Sequence, residues 1–260
     1  MTDYRLSLYE TVKSMPAGRP RDYALGIIES LKGRQRWEAL RRPDQTPPSD
    51  SLWEVWIFAG GRGGGKTRTG AEEAKEYAET HPGARLILAA QTAWAIREVL
   101  VEGESGILSL YESHDPNTPK YIRSARRLEW PNGSIAHCVS ADAPDGIRGI
   151  DADFAWADEV SSWKTSAVEG GMDAWDNLRL AVRRGRTPRI IVTTSPRKSK
   201  MLKKLHKELK RMPLTVRMTA VHTFSNRHNL NDAYLRMLAE YYEGTEEAKT
   251  DIQGEWPWKL

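Results

Sequence analysis

The chain has 260 residues, which is enough to bury a large core as one α/β domain with appendages. Lysine and arginine number 39 against 35 acidic residues, and the net charge of +4 permits a nucleic-acid partner without requiring one. The single cysteine, Cys138, excludes an internal disulfide, and the lack of a long apolar run or signal pattern predicts a soluble intracellular protein with no membrane partner.

Residues 1–50 are predicted to form a polar helical segment that ends in a linker. Apolar residues recur at helical spacing in Tyr23–Leu31 and again in Trp37–Leu40. Prolines within residues 43–48 then break the helix, because proline lacks an N–H donor and restricts the residue before it. Gln45, in this linker, is a candidate for contact with the edge of a nucleotide base. The alternative is an ordinary loop glutamine.

A glycine-rich loop follows the apolar run Trp53–Ala59 and precedes the helical stretch Arg68–Thr80, which is the context of a phosphate-binding P-loop. The loop consists of Gly60, Gly61, Arg62, Gly63, Gly64, Gly65, Lys66 and Thr67. Its glycines let consecutive backbone N–H groups surround an anion, and the next helix directs its positive end there. Lys66 is predicted to reach the β- and γ-phosphates, and the Thr67 hydroxyl to ligate Mg²⁺. The alternative is a flexible loop that contains Gly-Lys-Thr by chance.

One further strand and a hairpin are predicted next. The apolar run Ala84–Ala90 indicates a buried parallel strand, and helical character follows in Ala93–Val101. The runs Arg126–Trp130 and Ser134–Ser140 flank an Asn-Gly dipeptide, which is a strong hairpin signal. Because an antiparallel hairpin fits poorly inside a doubly wound sheet, we expect it as an insertion at one edge. Cys138 is then a buried structural thiol in its second strand.

An apolar strand that ends in two carboxylates is the second signal of a site. Residues 153–157 lead into Asp158 and Glu159 at the carboxyl end of a parallel strand, where ligands of such sheets bind. Asp158 is predicted to hold Mg²⁺ through water, and Glu159 to polarise the water that attacks the γ-phosphate. The alternative is an acidic pair at a strand end on the surface.

The next buried strand, Arg189–Thr194, follows a helix predicted at Trp175–Arg184. This strand ends in small hydroxyl residues beside the acidic strand. Thr194 and Ser195 are therefore placed to contact the γ-phosphate or the attacking water. Such a contact would report hydrolysis to the segment that follows.

That segment is a basic helix, Ser199–Arg211. Its lysines form either a solvated helix face or a contact with the phosphate backbone of DNA. The candidates for DNA contact are Lys203, Lys204 and Lys207.

The rest of the chain is predicted as a strand at Leu214–Val221 and short helices at Asp232–Tyr242 and Glu246–Gln253. The chain then divides into the N-terminal segment with its linker, a P-loop core and a small C-terminal helical appendage. These divisions correspond to residues 1–50, 51–222 and 223–260.

Five short segments of the sequence, in this order and spacing, resemble the ATPase domain of the large terminase subunit, the DNA-packaging motor of tailed bacteriophages. They are Arg41–Gln45, Gly60–Thr67, Gly146–Gly149, Ala157–Glu159 and Thr193–Arg197. The resemblance covers most of the chain apart from its two ends. It implies an α/β P-loop NTPase fold of the additional-strand, catalytic-glutamate (ASCE, RecA-like) kind, with a mostly parallel central sheet flanked by helices.

The resemblance also implies roles by position. The family's adenine-contacting glutamine corresponds to Gln45, and its Walker A lysine and magnesium ligand correspond to Lys66 and Thr67. Asp158 corresponds to the Walker B aspartate. Glu159 corresponds to the catalytic carboxylate.

Three further roles follow from the resemblance. The triplet Thr193–Ser195 corresponds to the motif that couples hydrolysis to movement. Arg62 matches an arginine inside the family's P-loop that is placed to sense the γ-phosphate. Arg148 occupies the place of an arginine that relatives offer to a neighbouring subunit's nucleotide. The alternative for Arg148 is a surface arginine paired with Asp151 or Asp153.

The function implied by the resemblance is ATP hydrolysis, with Mg²⁺, that drives double-stranded DNA into a procapsid in the cytoplasm of the infected bacterial host. The implied partners are the DNA, the procapsid portal, the small terminase subunit and other copies in a ring, with the isolated chain a monomer. The family's nuclease domain would begin about where this sequence stops, so we expect no nuclease activity from this chain. The sequence is then either an excised ATPase domain or a motor whose nuclease is a separate polypeptide. The alternatives are a helicase-like DNA translocase and a non-hydrolysing nucleotide-dependent assembly protein.

Overall fold

The structure, a computed structural model, describes residues 6–31, 33–166, 171–242 and 245–259. In this part of the chain, helices pack on both faces of a mixed sheet. The strands are β1 (Val55–Gly60), β2 (Arg85–Ala90), β3 (Lys120–Ile122), β4 (Arg127–Glu129), β5 (Ile135–Ser140), β6 (Phe154–Asp158), β7 (Arg189–Thr194) and β8 (Val216–Val221). The helices are α1 (Leu8–Lys13), α2 (Arg19–Ser30), α3 (Gly33–Leu40), α4 (Lys66–Thr80), α5 (Ala93–Ala95), α6 (Ala174–Ala181), α7 (Lys200–Arg211), α8 (Asp232–Tyr242) and α9 (Glu246–Asp251). α5 continues directly as a π-helix, Ile96–Val101.

The strand order in the sheet is β3-β4-β5-β2-β6-β7-β1-β8. The strands from β5 to β8 in this order pair in parallel, whereas β3, β4 and β5 pair in antiparallel fashion at one edge. The predicted P-loop fold, mostly parallel with a hairpin at a sheet edge, is therefore confirmed. The second hairpin strand also belongs to the parallel sheet, because β5 pairs with β2.

The central strands are apolar along their length because helices cover both faces of the sheet. Alternate residues of β1 enter two different cores: Trp56 and Phe58 pack with the small alanines of α4, and Ile57 packs on the side of α7. Leu202 and Leu205 of α7 are fully buried there. Each such leucine stabilises the fold by about 1.5–3 kcal/mol.

The end of α6 differs from the prediction. α6 ends at Ala181 rather than at Arg184. The N–H groups of Arg183 and Arg184 instead donate to the carbonyl oxygen of Ala152 at 3.0 and 2.9 Å, and Val182 forms a parallel bridge with Ala152 just before the central strand β6. Cys138 is buried in β5, where burial raises the pKa of its thiol to about 12.

Within the described residues, no helix has the length and apolar character to span a membrane.

Candidate nucleotide-binding site

The glycine loop turns between the end of β1 and the first turn of α4. Gly63 and Gly65 have positive φ values of 73° and 88°, a conformation that favours glycine. The ammonium group of Lys66 donates to the carbonyl oxygens of Gly60 and Gly61 at 3.0 and 2.9 Å. Burial lowers the pKa of Lys66, whereas the nearby carboxylates, with Glu159 first, raise it. The lysine and the acidic strand therefore lie within electrostatic reach of each other.

The carboxylate of Asp158 ends β6 and is held by the neighbouring strand. Thr193, its register partner in β7, donates its hydroxyl to Asp158 Oδ1 at 2.6 Å. The same hydroxyl accepts from the indole N–H of Trp156 at 2.7 Å. Burial, with a smaller contribution from the charge of Glu159, raises the pKa of Asp158 to about 6, although the hydrogen bond from Thr193 opposes the rise. Nearby positive charge would favour the ionised form of this buried carboxylate.

Glu159 has a strained backbone, with φ of 46°, in the left-handed region. That conformation costs a residue with a side chain on the order of 1–3 kcal/mol. The carboxylate oxygens of Glu159 accept from the N–H of Ser195 at 3.0 Å, from the Ser195 hydroxyl at 3.1 Å and from the Ser161 hydroxyl at 2.7 Å. Thr194 accepts from the N–H of Ser161 at 3.0 Å. The three hydroxyl residues at the end of β7 therefore contact the acidic strand and the turn that follows it.

Gln45 is buried beside the P-loop. Its amide nitrogen donates to the hydroxyl of Thr69 at 3.0 Å, and its amide oxygen accepts from the N–H of Arg42 at 3.1 Å. A Cβ on Gly65 would lie 2.8 Å from this amide nitrogen. Gln45 also lines a cleft of about 550 Å³ together with Lys66, Thr67 and other residues. The structure thus brings Gln45 to the P-loop, and its contact with a base stays a prediction.

Arg42 is a site residue that sequence reasoning did not single out. Its guanidinium is 5% exposed and donates to the carbonyl oxygen of Gly64 at 2.8 Å and to Asn226 Oδ1 at 2.7 Å. Asn226 in turn donates to the carbonyl oxygen of Gly63. Arg42 and Asn226 each bond one backbone oxygen of the glycine loop, and together they restrict its conformation. The signal available in the sequence was only its place in the linker that contains Gln45.

The segment after β8 forms the other wall of the P-loop. The N–H of Arg62 donates to the carbonyl oxygen of Asp251 at 2.6 Å, and the Thr223 hydroxyl donates to the carbonyl oxygen of Arg62 at 2.7 Å. A Cβ on Gly61 would lie 2.4 Å from that hydroxyl. The side chain of Arg62 is exposed, with Nε 3.7 Å from the Asp251 carboxylate. Thr223 and Asp251, which lie in the appendage predicted at residues 223–260, thus contact the P-loop directly.

Arg148 is exposed in the loop that precedes β6. Its guanidinium lies 3.2 Å from the Asp145 carboxylate and donates to Asn177 of α6 at 3.3 Å. The alternative partners predicted for it were wrong, because Asp151 pairs with Arg183 and Asp153 lies near Arg184. Contacts among the described residues do not link Arg148 to Lys66 or Glu159. Its action on a neighbouring subunit stays a prediction.

The lysines of α7 divide into two groups. Lys203 and Lys207 are exposed. Lys204 instead donates to Asp173 at 2.9 Å and to Asp176 at 2.6 Å, at the start of α6. These ion pairs disfavour the predicted contact of Lys204 with DNA, which stays untested, because α6 packs beside α7 and places two carboxylates against this lysine.

The sequence model of the family described as terminase large subunit, T4likevirus-type, N-terminal, matches residues 57–259. The chain belongs to this family. No curated protein matches it.

Solved phage terminases share the fold of this terminase large-subunit chain. The large terminase of a thermophilic bacteriophage, in complex with ADP, aligns with a TM-score of 0.64 at 16% identity, over 85% of this chain and 50% of that chain. The bacteriophage HK97 large terminase aligns with a TM-score of 0.63 at 13% identity, over 90% and 55% of the two chains. The ATPase domain of the Thermus phage P74-26 large terminase aligns with a TM-score of 0.54 at 16% identity, over 81% and 94%. The chain thus spans about half the length of the first two proteins.

The oxygen groups of the terminase site suit a magnesium ion bound together with a nucleotide. Mg²⁺ is commonly held by one or two protein oxygens, waters and substrate phosphates. Asp158 offers a buried carboxylate, and Thr67 offers a hydroxyl in the cleft. The described residues contain no group of three or more His, Cys, Asp or Glu that could hold a metal ion by themselves. The donors therefore fit an ion that takes most of its ligands from phosphate and water.

Proposed function

We propose that this terminase chain is an ATPase that hydrolyses ATP to drive double-stranded DNA into a phage procapsid. The observation that carries the proposal is that Lys66, after β1, and the carboxylates Asp158 and Glu159, at the end of β6, lie at the carboxyl ends of parallel strands and within electrostatic range of each other. Membership of the terminase large-subunit family supports it. The solved phage terminase with ADP supports nucleotide binding in a chain of the same fold.

The proposed chemistry is in-line attack of water on the γ-phosphate, promoted by positioning and charge. Lys66 exchanges its backbone partners for the β- and γ-phosphates. Thr67, directly, and Asp158, through water, would hold Mg²⁺, which would neutralise phosphate charge. Glu159, fixed by Ser195 and Ser161, orients the attacking water and accepts its proton.

Gln45 and Arg62 are proposed to contact the base and the γ-phosphate. Thr193–Ser195 are proposed as the coupling element, because their hydroxyls and backbone bond both carboxylates. A shift of Glu159 during hydrolysis would pull on Ser195 and so reach α7, the next helix. Lys203 and Lys207 are the α7 side chains that we propose for contact with DNA phosphates.

The partners of the motor are proposed on the basis of the family. They are double-stranded DNA, the procapsid portal, the small terminase subunit and other copies of this chain in a ring. The site of action is the cytoplasm of the infected bacterium. We propose that the isolated chain is a monomer and that Arg148 completes the site of a neighbouring copy.

The direct test measures nucleotide binding and phosphate release for Lys66→Ala and Glu159→Gln, with and without DNA and procapsids. Lys66→Ala should lose tight ATP binding, because the phosphates lose their main side-chain countercharge. Glu159→Gln should bind ATP and fail to turn it over, because an amide cannot accept the proton. Equal loss of binding in both variants would show that Glu159 is not the base. Wild-type binding without phosphate release under every condition would favour a nucleotide-dependent assembly protein.

The role of Arg148 is tested by mixing two inactive variants. Arg148→Ala keeps its own P-loop and carboxylates, and Glu159→Gln keeps its arginine. An arginine that acts on a neighbour's nucleotide accelerates hydrolysis by roughly 10³–10⁵-fold where such an effect has been measured. The mixture should therefore regain activity when a ring assembles. Co-assembled mixtures that stay inactive at every ratio would refute action between subunits.

A further inference from the structure

Arg197 lies just beyond the coupling triplet, and none of the roles above includes it. Its backbone N–H donates to the carbonyl oxygen of Ser195 at 2.8 Å, and Ser195 holds the carboxylate of Glu159. The Arg197 guanidinium is 48% exposed. Its Nε and Nη2 donate to the two carboxylate oxygens of Asp251 at 2.8 and 2.7 Å. This is the forked geometry by which arginine binds a carboxylate or a phosphate.

Asp251 is a mostly buried carboxylate at the end of α9, and it faces two arginines. Arg197 reaches it from the segment after the coupling triplet, and Arg62 reaches it from the P-loop at 3.7 Å. The backbone oxygen of Asp251 also accepts from the N–H of Arg62. One carboxylate therefore joins the P-loop, the coupling segment and the C-terminal wall of the site.

These charges act on the nucleotide site itself. Burial lowers the pKa of Lys66 most, but Asp251 raises it and Arg197 lowers it further. The bond to Asp251 raises the pKa of Arg197 most, and the charge of Glu159 adds to this rise. The Arg197–Asp251 pair thus lies within electrostatic range of both the lysine that binds phosphate and the catalytic carboxylate.

We propose that Arg197 binds the γ-phosphate of ATP, and that Asp251 holds its guanidinium when no γ-phosphate is present. The inference rests on the proposed ATPase function. A partly exposed ion pair contributes at most about 1 kcal/mol, so a more highly charged phosphate can displace the carboxylate. Asp251 is then a positioning residue whose bond to Arg197 breaks when ATP binds. ADP leaves the pair intact because it lacks the γ-phosphate.

The test compares the affinities of ATPγS and ADP for Arg197→Ala and Asp251→Asn, measured by displacement of a fluorescent ADP. Arg197→Ala should weaken ATPγS binding on the order of tenfold or more, because a charged hydrogen bond to phosphate is lost, and should leave ADP binding within about twofold. Asp251→Asn should strengthen ATPγS binding severalfold, because the competing carboxylate is gone. Lys198→Ala, which removes an exposed positive charge one residue away, is the matched control and should change neither affinity.

The opposite signs separate this proposal from a merely structural ion pair. Arg197→Ala and Asp251→Asn break the same salt bridge. If that bridge were only structural, the two variants would change nucleotide affinity in the same direction, and each would affect ATPγS and ADP equally. Either that pattern or unchanged ATPγS affinity in Arg197→Ala would overturn the proposal. If Arg197→Ala fails to fold, Asp251→Asn decides by itself, since an unchanged or weaker ATPγS affinity refutes the exchange. Wild-type protein that binds neither nucleotide would instead refute the proposed function.

Hydrogen exchange gives a second readout that does not depend on activity. Release of Asp251 by ATPγS should increase amide exchange in residues 245–254 relative to the ADP-bound protein. The increase should be absent in Arg197→Ala and present in Lys198→Ala. Equal exchange of this segment with ATPγS and with ADP in the wild-type protein would contradict the exchange of partners.

Discussion

Gly70, in the second turn of α4, lies where the structure leaves no room for a side chain. A Cβ at this position would lie 2.2 Å from Cε2 and Nε1 of the Trp156 indole. Trp156 is fully buried in β6, and its N–H donates to the hydroxyl of Thr193, which donates to Asp158. The change Gly70→Ala must therefore displace the indole or lift α4 from the sheet. Either movement disturbs the hydrogen bonds that hold Asp158.

The expected stability change follows from three terms. Alanine in place of a glycine inside a helix stabilises by about 1 kcal/mol. Overpacking a fully buried contact costs about 1–3 kcal/mol, and loss of the buried hydrogen bond of Trp156 costs about 1–3 kcal/mol. We expect Gly70→Ala to lower the free energy of unfolding by roughly 1–5 kcal/mol, with a fall in Tm of about 2–4 °C for each kcal/mol.

Gly26→Ala provides the matched control. Gly26 lies inside α2, and its Cβ would have no heavy atom within 4 Å. Urea unfolding should therefore show Gly26→Ala more stable than wild type by roughly 0.5–1 kcal/mol, opposite in sign to Gly70→Ala. If Gly70→Ala stabilised the protein as much as Gly26→Ala does, Trp156 would not be fixed as described, and its part in holding Asp158 would be refuted.

Three further outcomes are expected. Burial, with a smaller contribution from the charge of Glu76, raises the pKa of Glu73 to about 8. The free energy of unfolding should therefore fall by about 1.4 kcal/mol per pH unit as pH rises from near 5 to 8. Glu73→Gln should remove this slope in urea titrations, and parallel curves for the two proteins would contradict the assignment. Replacing Lys203 and Lys207 together with alanine should weaken DNA binding. The slope of log affinity against log salt concentration should fall in magnitude by about one unit for each lost phosphate contact, and an unchanged slope would mean that these lysines form a solvated helix face. Lys204→Ala should instead lower the free energy of unfolding by about 1 kcal/mol and leave the salt dependence of DNA binding nearly unchanged. Unchanged stability with a reduced salt dependence would identify Lys204 as a DNA contact.

The strand–loop–helix around Lys66 was predictable because its signals are local. Strict glycine spacing, an apolar strand before it and a helix after it occupy adjacent residues, so no long-range contact is needed to recognise them. The acidic strand was predictable for a related reason. Once a P-loop is present, the carboxyl ends of parallel strands meet at one edge, which brings Asp158 towards Lys66. The Asn-Gly signal at residues 132–133 likewise located the hairpin.

Other features depended on side chains that are distant in sequence. The bond between Thr223 and Arg62 joins positions 161 residues apart, so nothing near either residue indicates that the C-terminal segment is a wall of the P-loop. Lys204 looked like its neighbours in a basic helix until α6 placed Asp173 and Asp176 against it. Identical charges on one helix acquire different roles because neighbouring elements decide which of them are neutralised.

The sequence by itself therefore determined the fold class and the chemistry of the phosphate loop, because both arise from short-range pattern and backbone freedom. Only the tertiary structure decided how the two carboxylates are held and which residues enclose the loop. Ser195 fixes Glu159, Thr193 fixes Asp158, and Asp251 binds Arg197. Hydrogen bonds of this kind require donors and acceptors to meet at about 3 Å with correct angles. Packing of the sheet and helices sets those positions, and no periodicity in the sequence encodes them.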